Sequence, residues 1–215
     1  MKVDCHTVGP IQENCYIARL DGSTDAVIVD PGAEPERLLA ALDADGLALQ
    51  AILVTHTHMD HIGAVAAVAE ATGAPVYCPE REVPMLQDPN AYVRLPGFGP
   101  FRGWDPEQTV AGGERLALAG MTIDVILTPG HSIGHVTYAV GDHGALFSGD
   151  VLFQGSVGRV DLPGGDWATL EASIGTLLDG YPPDTRVYPG HMGTTTLGRE
   201  AATNPFLADL TAPSR

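Results

Sequence analysis

His56-Thr57-His58-Met59-Asp60-His61 places three imidazoles and a carboxylate within six residues. The motif directly follows Ala51-Ile52-Leu53-Val54, an apolar run that reads as a short buried strand. It therefore sits on the turn at that strand's C-terminal end. Gly63 to Ala71, rich in alanine and valine, then reads as a small-residue helix packed close to the sheet. Imidazole nitrogen and carboxylate oxygen are ordinary zinc ligands. On such a turn His56 and His58 can point to one side, and Asp60 and His61 to the other. One cation cannot easily take all four and keep an open position for water, whereas two cations can share them.

Two cations need more ligands, and three later turns offer them. His131 follows Leu127-Thr128-Pro129-Gly130, Asp150 follows Ala145-Leu146-Phe147-Ser148-Gly149, and His191 follows Val187-Tyr188-Pro189-Gly190. Each stands where a short apolar strand meets a glycine, which allows close backbone approach. A single His or Asp at a strand end is most often a hydrogen-bonded turn residue. Four such turns together with the dense motif predict seven ligands on one sheet edge: His56, His58, Asp60, His61, His131, Asp150 and His191.

Further out, Cys15 to Leu20 and Ala26 to Val29 read as strands, ending at Asp30-Pro31-Gly32. Glu34 to Leu42 reads as a helix with Leu38, Leu39 and Leu42 on one face. Glu114 to Ala119 and Met121 to Leu127 predict a hairpin around Gly120, and Val136 to Val140 with Ala145 to Phe147 a second pair. Asp166 is a candidate N-cap for a helix to Leu178. Arg186 to Tyr188 reads as a final strand, and the tail from Thr196 as helical until Asn204-Pro205. Asp88 to Asp105, with Tyr92, Phe98, Phe101 and Trp104 among prolines and glycines, is an irregular surface loop or a lid over a substrate pocket. No linker divides the chain, so residues 1–215 are expected to form one domain.

The formal charge is -16, from 27 Asp plus Glu against 11 Lys plus Arg, with Lys2 the only lysine. Such a surface repels phosphate backbones and anionic membranes, so the expected partner is a small-molecule substrate and not nucleic acid or membrane. Met1 to His6 lacks a charged region followed by an apolar run, and no apolar stretch approaches the roughly 18 residues needed to span a bilayer. The expectation is a soluble cytoplasmic protein. Cys5, Cys15 and Cys78 form no CxxC pair and no disulfide framework, and read as small buried apolar residues.

These residues together resemble the metallo-β-lactamase fold superfamily, and within it the glyoxalase II-like (hydroxyacylglutathione hydrolase-like) branch of short bacterial members. Besides the histidine motif, the resemblance rests on His6 to Tyr16, Thr128 to His135, Phe147 to Phe153, Gly155 to Arg159 and Tyr188 to His191. It implies an α/β fold, the four-layer αββα sandwich. It also implies a pairing of ligands: His56, His58 and His131 on one cation, Asp60, His61 and His191 on the other, and Asp150 bridging both. Flavodiiron-type members usually carry Glu at the position of His58, and true metallo-β-lactamases lack the aspartate matched by Asp150, so neither branch is expected. Arg159 matches a basic residue of the branch. Asp161 and Gly193 stand where glyoxalase II has tyrosines, and the helical extension that grips glutathione in that enzyme has no counterpart here.

The expected chemistry is hydrolysis of a thioester. Two cations about 3.5–4 Å apart can hold a bridging water and lower its pKa from about 15.7 towards 7, giving a hydroxide nucleophile. A thiolate with pKa near about 8.5 then leaves without a strong general acid. Asp60 is expected to orient the water. Arg159 is expected either to bind a substrate carboxylate or amide or to form a surface ion pair, and His135 to be a hydrogen-bonding support. Zinc is the expected metal, with iron or manganese suited to the same ligands. The competing expectations are an iron-dependent persulfide dioxygenase, whose Gly-Arg-x-Asp segment resembles Gly158-Arg159-Val160-Asp161, and a lactonase.

Overall fold

The computed structural model describes residues 1–92, 99–208 and 210. Its first sheet contains β1 (Lys2–Val8), β2 (Glu13–Arg19), β3 (Asp25–Val29), β4 (Ala48–Leu53), β5 (Val76–Pro79) and β6 (Gln108–Val110), in spatial order 1-2-3-4-5-6. The first two pairings are antiparallel and the next three parallel. The second sheet contains β7 (Arg115–Leu118), β8 (Met121–Leu127), β9 (Val136–Val140), β10 (Ala145–Gly149), β13 (Arg186–Pro189) and β14 (Thr195–Thr196), in order 14-13-10-9-8-7. A small ribbon pairs β11 (Leu152–Phe153) with β12 (Ser156–Val157).

Alternation along the strands sets the layers, because successive strand side chains point to opposite faces. Tyr16, Ala18, Val27, Val29, Ala51 and Leu53 of the first sheet meet Ile123, Val125, Val136, Tyr138, Phe147 and Tyr188 of the second in a core between the sheets. The intervening residues Cys15, Ile17, Ile28 and Ile52 face outward and are covered by α1 (Pro35–Ala44), α3 (Val65–Thr72) and α4 (Val83–Gln87) through Leu38, Leu42, Val65, Val68 and Leu86. The outer face of the second sheet is covered by α6 (Trp167–Gly180) and α7 (Leu197–Thr203). Helices, two sheets and helices make the αββα sandwich that the resemblance implied.

The helices follow from their sequences. Pro35 opens α1, where a missing N–H costs nothing, and Leu38 and Leu42 share the buried face. In α3 the buried residues are Val65, Ala66, Val68 and Ala69, small enough for close packing on the sheet. Asp166 caps α6 by accepting from the Thr169 amide at 2.8 Å, and Leu170, Ser173, Ile174 and Leu177 form its buried stripe.

Several expectations need adjustment. Arg186 to Tyr188 is not the last strand, since Thr195–Thr196 pairs antiparallel with β13. The edge strand β1 has mixed exposure and no clean alternation, so Cys5 on it is exposed and not buried as expected, unlike Cys15 and Cys78. Strands β5 and β6 are only four and three residues long, so none of the three strands stood out in the sequence. In the 88–105 segment the short helix α5 (Pro89–Tyr92) leads, beyond residue 98, to Phe101, whose amide and carbonyl are both bonded to the Asn90 side chain. Trp104 packs on the outer core beside α4, while Tyr92 is exposed. The lid expectation also rests on Phe98, which lies outside the described residues. No helix among the described residues is long and apolar enough to cross a membrane.

Candidate metal centre

Four strand ends converge on one edge of the sandwich. His56, His58, Asp60 and His61 follow β4, the last two on the single-turn helix α2 (Met59–Ile62). His131, Asp150 and His191 follow β8, β10 and β13 of the other sheet. All seven side chains meet in two adjoining clusters.

In the first cluster His56 Nε2, His58 Nδ1 and His131 Nε2 lie 2.8–3.2 Å from one another. The hydrogen-bond network assigns the tautomers. Thr55 Oγ1 donates to Asp30 Oδ2 at 2.6 Å, so at 3.1 Å it accepts from His56 Nδ1–H. His131 Nδ1 donates to the Arg159 carbonyl at 2.7 Å. A neutral imidazole has one N–H, so both Nε2 atoms carry bare lone pairs turned toward each other. Burial lowers His56 well below the usual histidine range, and the neighbouring rings His61, His58 and His131 add to this. Burial and His131 likewise bring His58 down to about 4. Three ring nitrogens at this spacing fit a cation held at about 2.0–2.1 Å from each.

The second cluster is built on Asp60, His61 and His191. His191 Nε2 stands 3.3 Å from Asp60 Oδ2 and 3.5 Å from Asp150 Oδ2. His61 Nε2 faces Asp150 Oδ1 at 3.4 Å, and both atoms are buried without a hydrogen-bond partner. Buried polar atoms are almost always paired, so this orphaned couple fits a cation site. Asp150 Oδ2 is also 3.5 Å from His131 Nε2, which places one carboxylate against both clusters. Burial alone would lower His61, but Asp150 and Asp60 raise it well above the usual range. Conversely, burial opposes ionisation of Asp150, yet His61, His131 and His191 hold it well below the carboxylate range.

A supporting shell orients these groups. Asp30, which is buried, accepts from the Thr55 amide, the Thr55 hydroxyl and His61 Nδ1 at 2.7, 2.6 and 3.0 Å. One carboxylate thus sets His61 directly and His56 through Thr55. His135 is not among the converging nitrogens. Its Nε2 accepts the Asp150 amide at 3.0 Å and its Nδ1 pairs with Thr128 Oγ1, as expected of a support. Gly149, at φ 45°, makes that approach possible: a Cβ there would stand 2.4 Å from Thr55 Oγ1 and 2.6 Å from His135 Nε2. Asn14 donates to the carbonyls of Pro189 and Met192, and Tyr16 Oη to that of Pro189, which ties the His191 turn to the first sheet. The Arg159 guanidinium is exposed and forks onto Asp161 at 2.6 and 2.7 Å, so only its backbone carbonyl reaches the centre.

Asp30 and Thr55 were not singled out from the sequence, although Asp30-Pro31-Gly32 at a strand end carried the signal. Asp30→Asn is expected to weaken cation retention by about 10- to 100-fold, because outer carboxylates fix ligand tautomer and orientation. Competition against a chromogenic chelator measures it, and retention equal to the unaltered protein would refute the role.

Residues 8–191 match the family model of the metallo-beta-lactamase superfamily. Hydroxyacylglutathione hydrolase GloC of Haemophilus influenzae is 35% identical over 214 residues, spanning 96% of this chain and 98% of its own. Among solved structures, TTHA1623 in a di-iron-bound form is 45% identical, with a TM-score of 0.86 over 95% of this chain and 100% of that one. The BLEG-1 B3 metallo-beta-lactamase is 42% identical, with a TM-score of 0.90 over 96% and 99%. ETHE1 from Myxococcus xanthus is 27% identical, with a TM-score of 0.76 over 95% and 84%. Two sheets stacked face to face with histidine clusters along one edge, and a family match across most of the length, make this chain a member of the metallo-beta-lactamase superfamily.

Proposed function

We propose that this chain is a metal-dependent hydrolase of thioesters that carries two divalent cations, zinc in the first instance, on the seven converging side chains. The observation that carries this reading is the Asp150 carboxylate, which lies within 3.5 Å of nitrogens in both clusters. Cations held there supply Lewis-acid polarisation of a carbonyl and acidification of water. The protein supplies the rest. Burial opposes ionisation of Asp60, but His61 and His191 keep its carboxyl below the usual range, so at neutral pH it is ionised and can accept a hydrogen bond from water and orient it. Asp60 and His191 retain partial exposure, which leaves this side open to substrate. Ile133 and Met192 project from the His131 and His191 turns as exposed apolar side chains and suit an acyl chain. A thiolate needs no strong general acid to leave, and none is required of the site.

The GloC relative supports thioester chemistry, while the Arg159–Asp161 fork commits Nε and Nη2 of that guanidinium to a neighbouring carboxylate rather than to the carboxylates of glutathione. The test is metal quantification of purified protein with rates on S-lactoylglutathione and on acyl thioesters of neutral thiols. Two cations per chain and thioester turnover are expected. The second reading, an iron-dependent persulfide dioxygenase, has the ETHE1 likeness and Gly158-Arg159-Val160-Asp161 behind it. One iron with oxygen uptake on a persulfide, and no thioester cleavage, would replace the first reading with it. Lactone and β-lactam substrates complete the panel.

Acidification is expected to empty the two clusters in order. Ligation needs neutral imidazole. His56 and His58 are lowered, His58 to about 4, so protons compete for them only in strong acid. His61 and His191 are raised, the latter chiefly by Asp60 against the effect of burial, so protons compete there from near neutrality downward. Metal content after dialysis from pH 7 to pH 4.5 is expected to fall from two cations to one. Parallel loss of both would contradict the assignment.

A further inference from the structure

Glu82 lies outside the seven converging side chains, on the 3-10 turn after β5, yet it is 1% exposed and acts on the same edge. Its Oε2 accepts from the Thr57 amide at 3.1 Å and the Thr57 hydroxyl at 2.6 Å. Its Oε1 accepts from Ser132 Oγ at 2.6 Å and the Gly134 amide at 2.8 Å. Thr57 stands between His56 and His58, and Ser132 directly follows His131. One buried carboxylate therefore grips both turns that carry the first cluster and touches neither turn of β10 or β13. Gly134 is part of the grip, because a Cβ there would stand 2.7 Å from Glu82 Cγ.

We infer that Glu82 is the positioning residue of the first cation subsite: it sets the distance between the β4 turn and the β8 turn, and so the spacing of His56, His58 and His131. This rests on the metal-centre reading above. The physical reason is preorganisation. With their Nδ1 hydrogens donated to Thr55 and to the Arg159 carbonyl, His56 and His131 turn bare Nε2 lone pairs toward each other at 3.2 Å, and these repel. Four hydrogen bonds to one carboxylate, two from each turn, hold His56, His58 and His131 at 2.8–3.2 Å before a cation arrives. The second subsite has His61 fixed by Asp30 and the turn carrying His191 tied down by Asn14 at the Pro189 and Met192 carbonyls, and it does not need this clamp.

Glu82→Gln tests it. The amide keeps the shape but turns its NH2 toward one of the two donor pairs, so one turn is released. Protein loaded with zinc is titrated with a chelator, and residual zinc is measured alongside circular dichroism. One of the two cations is expected to leave at about 10- to 100-fold lower chelator concentration, with the other unmoved. Ser132→Ala, which leaves Thr57 and Gly134 in place, is expected to loosen the same cation less, and it serves as the readout if Glu82→Gln does not fold. Unchanged release of both cations overturns the inference, and so does parallel loosening of both, the signature of a residue that merely supports the fold. If the unaltered protein holds no zinc-like cation, the metal-centre reading fails instead, which separates the two failures.

Discussion

Asp150→Ala is expected to lower hydrolysis by about a thousandfold or more, the equivalent of about 4 kcal/mol of transition-state stabilisation. No other carboxylate of the centre faces three of the histidines: His61 at 3.4 Å, and His131 and His191 at 3.5 Å. Removing it deletes a ligand from both proposed subsites at once, whereas each histidine serves one. The backbone consequence is small, because His135 accepts from the Asp150 amide and not from its side chain. A folded but inactive protein with fewer than two cations is therefore expected, read by circular dichroism, metal analysis and turnover. His61 also loses its strongest upward influence, so its imidazole resonances should titrate at lower pH. Retention of more than about a tenth of the rate, about 1.4 kcal/mol at most, would rule out a role for Asp150 on both cations.

Removal of the cations should cost comparable stability. Ligand at a thousandfold excess over its dissociation constant contributes about 4 kcal/mol per site. In a chain of this size each kcal/mol moves Tm by about 2–4 °C, so stripping one such site is expected to lower Tm by about 10 °C. The orphaned pair His61 Nε2 and Asp150 Oδ1 gives the structural reason, since both atoms are buried with no other partner. Differential scanning calorimetry with and without chelator, followed by zinc restoration, measures it. An unchanged Tm would mean that the cluster is satisfied without metal.

The turns that bring the seven side chains together were legible in the sequence because their signals are local. A short apolar run, a glycine and a His or Asp recur at the ends of β8, β10 and β13, and the dense motif marks the end of β4. The hairpin at Ala119-Gly120 and the Asp166 cap were legible for the same reason. Glu82 and Asn14 were not, and Asp30 showed only as a strand-end turn without its partners, since each works across long separations in the chain. Glu82 is 25 residues from Thr57 and 50 from Ser132 in sequence. Nothing in Pro79-Glu80-Arg81-Glu82 distinguishes the buried acid from Glu80, which is exposed. The Asp161 partner of Arg159 was two residues away and visible, but sequence cannot say whether a fork closes on its neighbour or on a ligand.

Each sheet is drawn from one continuous stretch: the first from residues 2 to 110, the second from 115 to 196. The seven converging groups are divided between them, four from one and three from the other. Neither half alone can assemble either cluster, since the first lacks His131 and the second cluster lacks His191 until the halves dock. On the proposed reading, cation uptake is thus a chemical signature of the completed seam, and any motion that shears the sheets apart must first separate His131, Asp150 and His191 from their counterparts.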